Sequence, residues 1–151
     1  MIRPATVDDI LPIFNMVEGY YREAIDKRGY PLKWDREKVV IYLGNLLYRD
    51  TALNFIAENG EGVILGEVAE TWFGPNVMAQ PHILYVKPEH RNGLIARALL
   101  RRFEKEALKR KALFVLWEFE SGVSDADMLS GLMKCLHYEF QGPIYRKTFW
   151  G

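Results

Sequence analysis

Ile83 to Ala107 reads ILYVKPEHRNGLIARALLRRFEKEA: four apolar residues, a proline, a basic turn and then a helical pattern. The first amides of a helix have no internal partner and carry a partial positive charge. The backbone of Arg91, Asn92, Gly93, Leu94, Ile95 and Ala96 is therefore a place where phosphate can be held. An ordinary strand-to-helix connection would read the same way.

Motifs for other chemistries are absent from the sequence. It contains no GxxxxGK[ST] loop, no GxSxG elbow and no CxxC or HExxH pair, so nucleotide triphosphatase, serine hydrolase and zinc chemistry lack their ligands. The single cysteine, Cys135, forms no internal disulfide and reads as a small core residue. Twenty basic residues balance twenty acidic ones, leaving no global field for nucleic acid or an anionic membrane. The basic helical run RRFEKEALKRK is interrupted by Glu104 and Glu106, and Phe103 and Leu108 assign its other side to the core. With no 18-residue apolar run and no signal peptide, the expectation is a soluble, cytoplasmic protein without a membrane partner.

The elements that carry the corner follow from periodicity. The chain of 151 residues is 49% hydrophobic, enough for one domain over 1–151 that buries roughly 70% of its unfolded surface. A short strand at Ile2–Thr6 precedes a helix whose Ile10, Ile13, Phe14, Val17, Tyr21 and Ala24 form an apolar stripe, with Asp8 or Asp9 as its cap and Pro12 in its first turn. After the loop RGYPLKW, Asp35 caps a second helix with Val39, Leu43, Leu46 and Leu47 on one face. ALNFIAENG and GVILGEVAETWFG read as a hairpin turning at Asn59–Gly62, and PHILYV as the next strand. A helix over Asn92–Lys111 puts Leu94, Ile95, Ala98, Leu99, Phe103 and Ala107 inward, and ALFVLWEFE follows as a strand parallel to PHILYV. Ser124 caps a fourth helix, and YEFQGPIYRKTFW closes the chain as one or two strands. The expected fold class is α+β: a central mixed, mostly antiparallel sheet with one parallel pair, flanked by about four helices.

This order of elements, together with YVKPEHRNGLIARALL, resembles the GCN5-related N-acetyltransferase family, and IRPAT..DI, WFG, LYVKPEHR and GPIYRK are similar to a subgroup from bacterial and phage genomes. The resemblance implies a GNAT-like fold and acetyl transfer from acetyl-CoA, as cosubstrate, to an amine. It also implies that the Arg91–Ala96 amides hold the CoA pyrophosphate. The family's pattern is a basic residue or Gln, two variable positions, Gly, one variable position, then Gly or Ala. Arg91 and Ala96 fit it; the first glycine position is Leu94, with Gly93 one place early.

The crevice where the strands around Val86 and Leu116 splay apart would take the pantetheine arm as an extra strand, at Leu84 and Val86. Val86 or its neighbour would supply the oxyanion donor. Arg97 and Arg102 either reach phosphates or face solvent. An alkyl amine is mostly protonated at neutral pH and needs a base. Strand carboxylates Glu67, Glu70, Glu118 and Glu120 are candidates, with Glu70 preferred; His82 is a second candidate, because an imidazole changes charge near neutrality. The family's tyrosine acid is replaced by Met133, leaving Tyr138, Tyr145 or water to protonate the thiolate. A relative that binds CoA or scaffolds without catalysis is the alternative. Partners implied are a small-molecule or protein amine acceptor, framed by DKRGYPLKW and the closing hairpin, and a second chain in a homodimer.

Overall fold

The computed structural model describes residues 1–27, 29–118, 126–142 and 145–149. Four strands, β1 (Ile2–Pro4), β2 (Ala52–Ala57), β3 (Gly62–Glu70) and β4 (Val77–Val86), form one sheet in the order β1-β2-β3-β4. Every neighbouring pair in it is antiparallel. The helices are α1 (Ile10–Tyr20), α2 (Arg36–Tyr48), α3 (Leu94–Lys109) and α4 (Ala126–Cys135), and α1 runs on into a π-helical segment, Tyr21–Asp26.

Side-chain alternation along β3 divides the core into two layers. Val63 and Leu65 meet Ile13, Phe14, Val17, Leu43 and Leu46 of α1 and α2. Ile64 and Val68 meet Leu99, Leu100, Phe103 and Ala107 of α3, with Met133 of α4. Gly66 seats α3 against the sheet: a Cβ there would lie 2.8 Å from the Phe103 ring and 2.5 Å from the Gln80 carbonyl oxygen.

Local signals explain the element starts. The Asp35 carboxylate accepts from the Lys38 amide at 3.0 Å, so the expected cap of α2 is present. At α1 the expected aspartate cap is replaced by a different arrangement. A 3₁₀ turn, Val7–Asp9, precedes the helix, and Asp9 is spent on the Arg3 guanidinium (2.7 and 2.8 Å) and the Thr6 amide (2.8 Å). Those partners hold the Asp9 carboxyl at about 2, below its usual 3.8, with the Arg3 hydrogen bonds the largest cause.

Other expectations need correction. Leu94 is 69% exposed and Leu108 is 74% exposed, because the inward face of α3 is set by Leu99, Leu100, Phe103 and Ala107. YEFQGPIYRKTFW contributes no strand among the described residues, and Ser124 lies outside them. The expected parallel strand pair is also not formed among the described residues: there ALFVLWEFE pairs with β4 through an isolated parallel bridge, Ala79 to Val115. Pro81 accounts for this. Leu113 N donates to Val77 O (2.9 Å), Ala79 N to Phe114 O (3.0 Å) and Leu116 N to Ala79 O (2.9 Å), so odd residues of β4 aim their backbone at that edge. The next of them is a proline with no N–H to give.

Candidate functional site

A bulge then changes which residues of β4 face the edge. Gly66 pairs with Pro81 but Leu65 with Ile83, so His82 is one residue too many. On β3, Val68 N reaches Thr51 O and Gly66 N reaches Asn54 Oδ1, so even residues turn toward β2 and odd ones toward β4. Ile83 and Tyr85 therefore exchange bonds with Leu65 and Val63. Leu84 and Val86 are left aiming their backbone at the outer edge. The Val86 carbonyl is taken by Arg91 Nε at 2.7 Å. By the β3–β4 register the Leu84 N–H and C=O and the Val86 N–H point away from β3, and no bond from them to a residue outside the sheet occurs among the described residues.

This open edge leads directly into the corner that the sequence singles out. After a 3₁₀ turn at Pro88–His90, Gly93 adopts φ 85°, a conformation that a side chain disfavours, and α3 begins. Asn92 Oδ1 accepts from Leu94 N at 3.1 Å, and Arg97 N donates to Gly93 O at 3.1 Å. The Ile95 and Ala96 amides are first-turn donors that the helix itself leaves open. The glycine is needed at position 93 for the turn, and Leu94 points its side chain to solvent, which explains the one-place shift in the motif. Arg97 is exposed beside the corner, whereas Arg102 stacks on Phe55 of β2 (5.2 Å), on the same face of the sheet but away from the β4 edge.

The candidate acid–base residues are not gathered in one place. His82 Nε2 lies 3.1 Å from Glu67 Oε1, and Arg49 lies 3.6 Å from the other oxygen, all on the α1/α2 face. With Glu67 ionised, Nε2 carries the hydrogen and Nδ1 keeps a lone pair. Glu70 is the last residue of β3, exposed, and by alternation on the α3 face. Glu118 is exposed at the end of the described run, and Glu120 lies outside the described residues. Tyr138 packs against the α3-side core with its hydroxyl buried and without a hydrogen bond among the described residues. Burial first, then the nearby Glu104 carboxylate, outside good hydrogen-bond geometry, raises its pKa, so the hydroxyl stays protonated. Met133 is buried and carries no proton to give.

Two residues absent from the sequence reading join the site. Glu23, in the π-helical segment, receives Arg91 Nη2 at 2.8 and 2.9 Å, and Tyr85 Oη approaches the same carboxylate at 3.4 Å. Burial is the first cause holding the Tyr85 pKa above its ordinary value. Gly19 leaves room for that hydroxyl, since a Cβ there would sit 2.6 Å away. A glycine inside the α1 pattern is the one sequence signal of this close approach. The flanking walls also touch: Tyr21 Oη donates to Leu32 O (2.6 Å), and the Arg146 guanidinium lies 4.1 Å over the Tyr30 ring. No cluster able to hold a metal occurs among the described residues, and no helix there is long and apolar enough to cross a membrane.

In sequence the chain matches no protein-family model and no curated protein. In structure it is similar over nearly its whole length to solved acetyltransferases. One is a GCN5-related N-acetyltransferase from Ralstonia eutropha JMP134, at 20% identity and TM-score 0.71, covering 98% of this chain and 97% of that one. A second is a ribosomal-protein-alanine N-acetyltransferase from Brucella melitensis biovar Abortus 2308, at 17% identity and TM-score 0.71, covering 99% of each chain. A third is an aminoglycoside acetyltransferase from an uncultured soil metagenomic sample, in complex with sisomicin, at 17% identity and TM-score 0.69, covering 99% of this chain and 96% of that one. The chain has the fold of the GCN5-related N-acetyltransferases.

Proposed function

We propose that this protein transfers an acetyl group from acetyl-CoA to an amine. The observation that carries the reading is a pair of backbone sites open among the described residues, Leu84 N–H and C=O with Val86 N–H on β4 and the Ile95 and Ala96 amides of α3, joined by a turn whose own amides are bonded. An extended ligand with amides at one end and a diphosphate at the other matches that order of donors. Pantetheine would pair with Leu84 C=O and Val86 N–H, and the pyrophosphate would sit on the Ile95 and Ala96 amides at the Gly93 turn, with Arg97 beside it; the Asn92 and Leu94 amides are bonded to His90 O and Asn92 Oδ1.

With the phosphates at the corner, the thioester falls at the other end of the run, beside the bulge. Leu84 N–H is then the donor for the developing oxyanion. His82 occupies that end, and its Nδ1 is the base that takes the amine proton, with Glu67 fixing the tautomer. The amine nitrogen forms a bond to the thioester carbonyl carbon, the C–S bond breaks, and sulfur leaves with the electron pair. The thiolate takes its proton from water, because the Tyr138 hydroxyl is buried and its raised pKa makes it a poor acid.

A screen of amines, from small polyamines and aminoglycosides to peptide N-termini and lysine, monitored by CoA release, tests the reaction. His82→Gln should lower kcat/KM by roughly 10² and recover toward high pH, where free amine is plentiful. Glu70→Gln should stay within about twofold of the parent. The reverse ranking would make Glu70 the base, and no release with any amine would leave only a CoA-binding or scaffolding role.

A further inference from the structure

The Arg91 guanidinium bridges the β4 edge and Glu23. Its Nε holds the Val86 carbonyl at 2.7 Å, and its Nη2 reaches both Glu23 oxygens at 2.9 and 2.8 Å. The plane lies 5.3 Å from the Tyr85 ring centroid, and both ion-pair side chains are less than one-fifth exposed, at 17% and 19%. The Val86 carbonyl is on the open edge of β4. The arginine therefore closes the run of edge groups at the point where its own backbone begins the corner.

We infer that Glu23 is a positioning residue for the acyl donor: by holding Arg91, it fixes the span between the open β4 edge and the N-terminus of α3. The inference rests on the acyl-CoA reading above. Its physical content is a two-point match. A ligand anchored by its amides on Leu84 and Val86 and by its diphosphate on Ile95 and Ala96 gains both anchors only when their separation is held. Coulomb attraction to Glu23 also keeps the guanidinium off the phosphates, so the corner amides, and not Arg91, hold the anion. Glu23 belongs to the segment that leads into the wall at Tyr30–Trp34, so the same contact joins the donor corner to the acceptor side.

Acetyl-CoA and S-acetylpantetheine separate positioning from simple structural support, because the second carries the thioester and amides without the pyrophosphate. Calorimetry should show Glu23→Gln raising the acetyl-CoA Kd about tenfold or more. Turnover of S-acetylpantetheine should stay within about twofold of the parent. Arg91→Gln, which breaks the pair from the other side, should also raise the acetyl-CoA Kd about tenfold or more and guards against a folding defect peculiar to one variant. An unchanged acetyl-CoA Kd in Glu23→Gln would overturn the inference. So would a tighter one, since the released guanidinium would then be a phosphate ligand, and so would an equal loss with both donors, the mark of general destabilisation. A parent protein that binds no acetyl-CoA would remove the function itself, and this inference with it.

Discussion

Asp9 shows how one side chain near the start of the chain couples charge to folding. Its carboxyl titrates at about 2 in the folded protein against 3.8 ordinarily, so the ion pair with Arg3 contributes fully above pH 4 and is lost as pH falls from about 4 toward 2. A shift of this size corresponds to about 2 kcal/mol, and solvent screening at the half-exposed Arg3 reduces that to about 1 kcal/mol. Asp9→Asn should therefore lower the melting temperature at pH 7 and make little difference near pH 2; equal losses at both pH values would contradict the linkage. Tyr138 makes the opposite kind of residue-level test. A buried hydroxyl without a partner costs about 1–3 kcal/mol, so Tyr138→Phe should melt at the same temperature or higher. The same variant should turn over less than about tenfold more slowly, because a thiolate leaves without much help. A destabilised Tyr138→Phe would mean that the hydroxyl is paired in the folded protein.

At the scale of elements, the sequence told most where a signal and its consequence lie close together. Asp35 and Lys38 cap α2 across three residues, Asn59–Gly62 turns the β2–β3 hairpin, and the 83–107 run is recognisable as strand, corner and helix. It told least where the deciding partner is distant. The absence of a fifth strand among the described residues depends on Pro81 facing the far edge, which is visible only once the register of β3 and β4 is known. The pairing of Glu23 with Arg91 spans 68 residues. The place of Glu70 beside TWFG favours it as the base in sequence, whereas alternation puts it on the other face from His82. Gly66 carries an element-scale prediction. Gly66→Ala should destabilise the fold by about 1–3 kcal/mol by pushing α3 off the sheet, measured by denaturant unfolding. An unchanged midpoint would mean that Phe103 can move aside.

At the scale of the molecule, two cores on opposite faces of one sheet leave the outer edge of β4 with backbone groups that have no partner among the described residues, and the N-terminus of α3 follows that edge in the chain. Pro81 has no N–H for that edge, and the bulge at His82 shifts which residues of β4 face it. An acyl-CoA ligand that binds only the folded state adds RT ln(1 + [L]/Kd), about 2.7 kcal/mol at a hundredfold excess over Kd. For a chain of this length that corresponds to a rise of about 5 °C or more in melting temperature. The most direct measurement is a thermal melt of the parent protein with increasing acetyl-CoA, beside S-acetylpantetheine and inorganic pyrophosphate as the two halves of the ligand. The expected result is a concentration-dependent rise with acetyl-CoA that exceeds the sum of the two halves. No rise with acetyl-CoA at millimolar concentration would contradict the assignment of the β4 edge and the α3 corner as an acyl-CoA site.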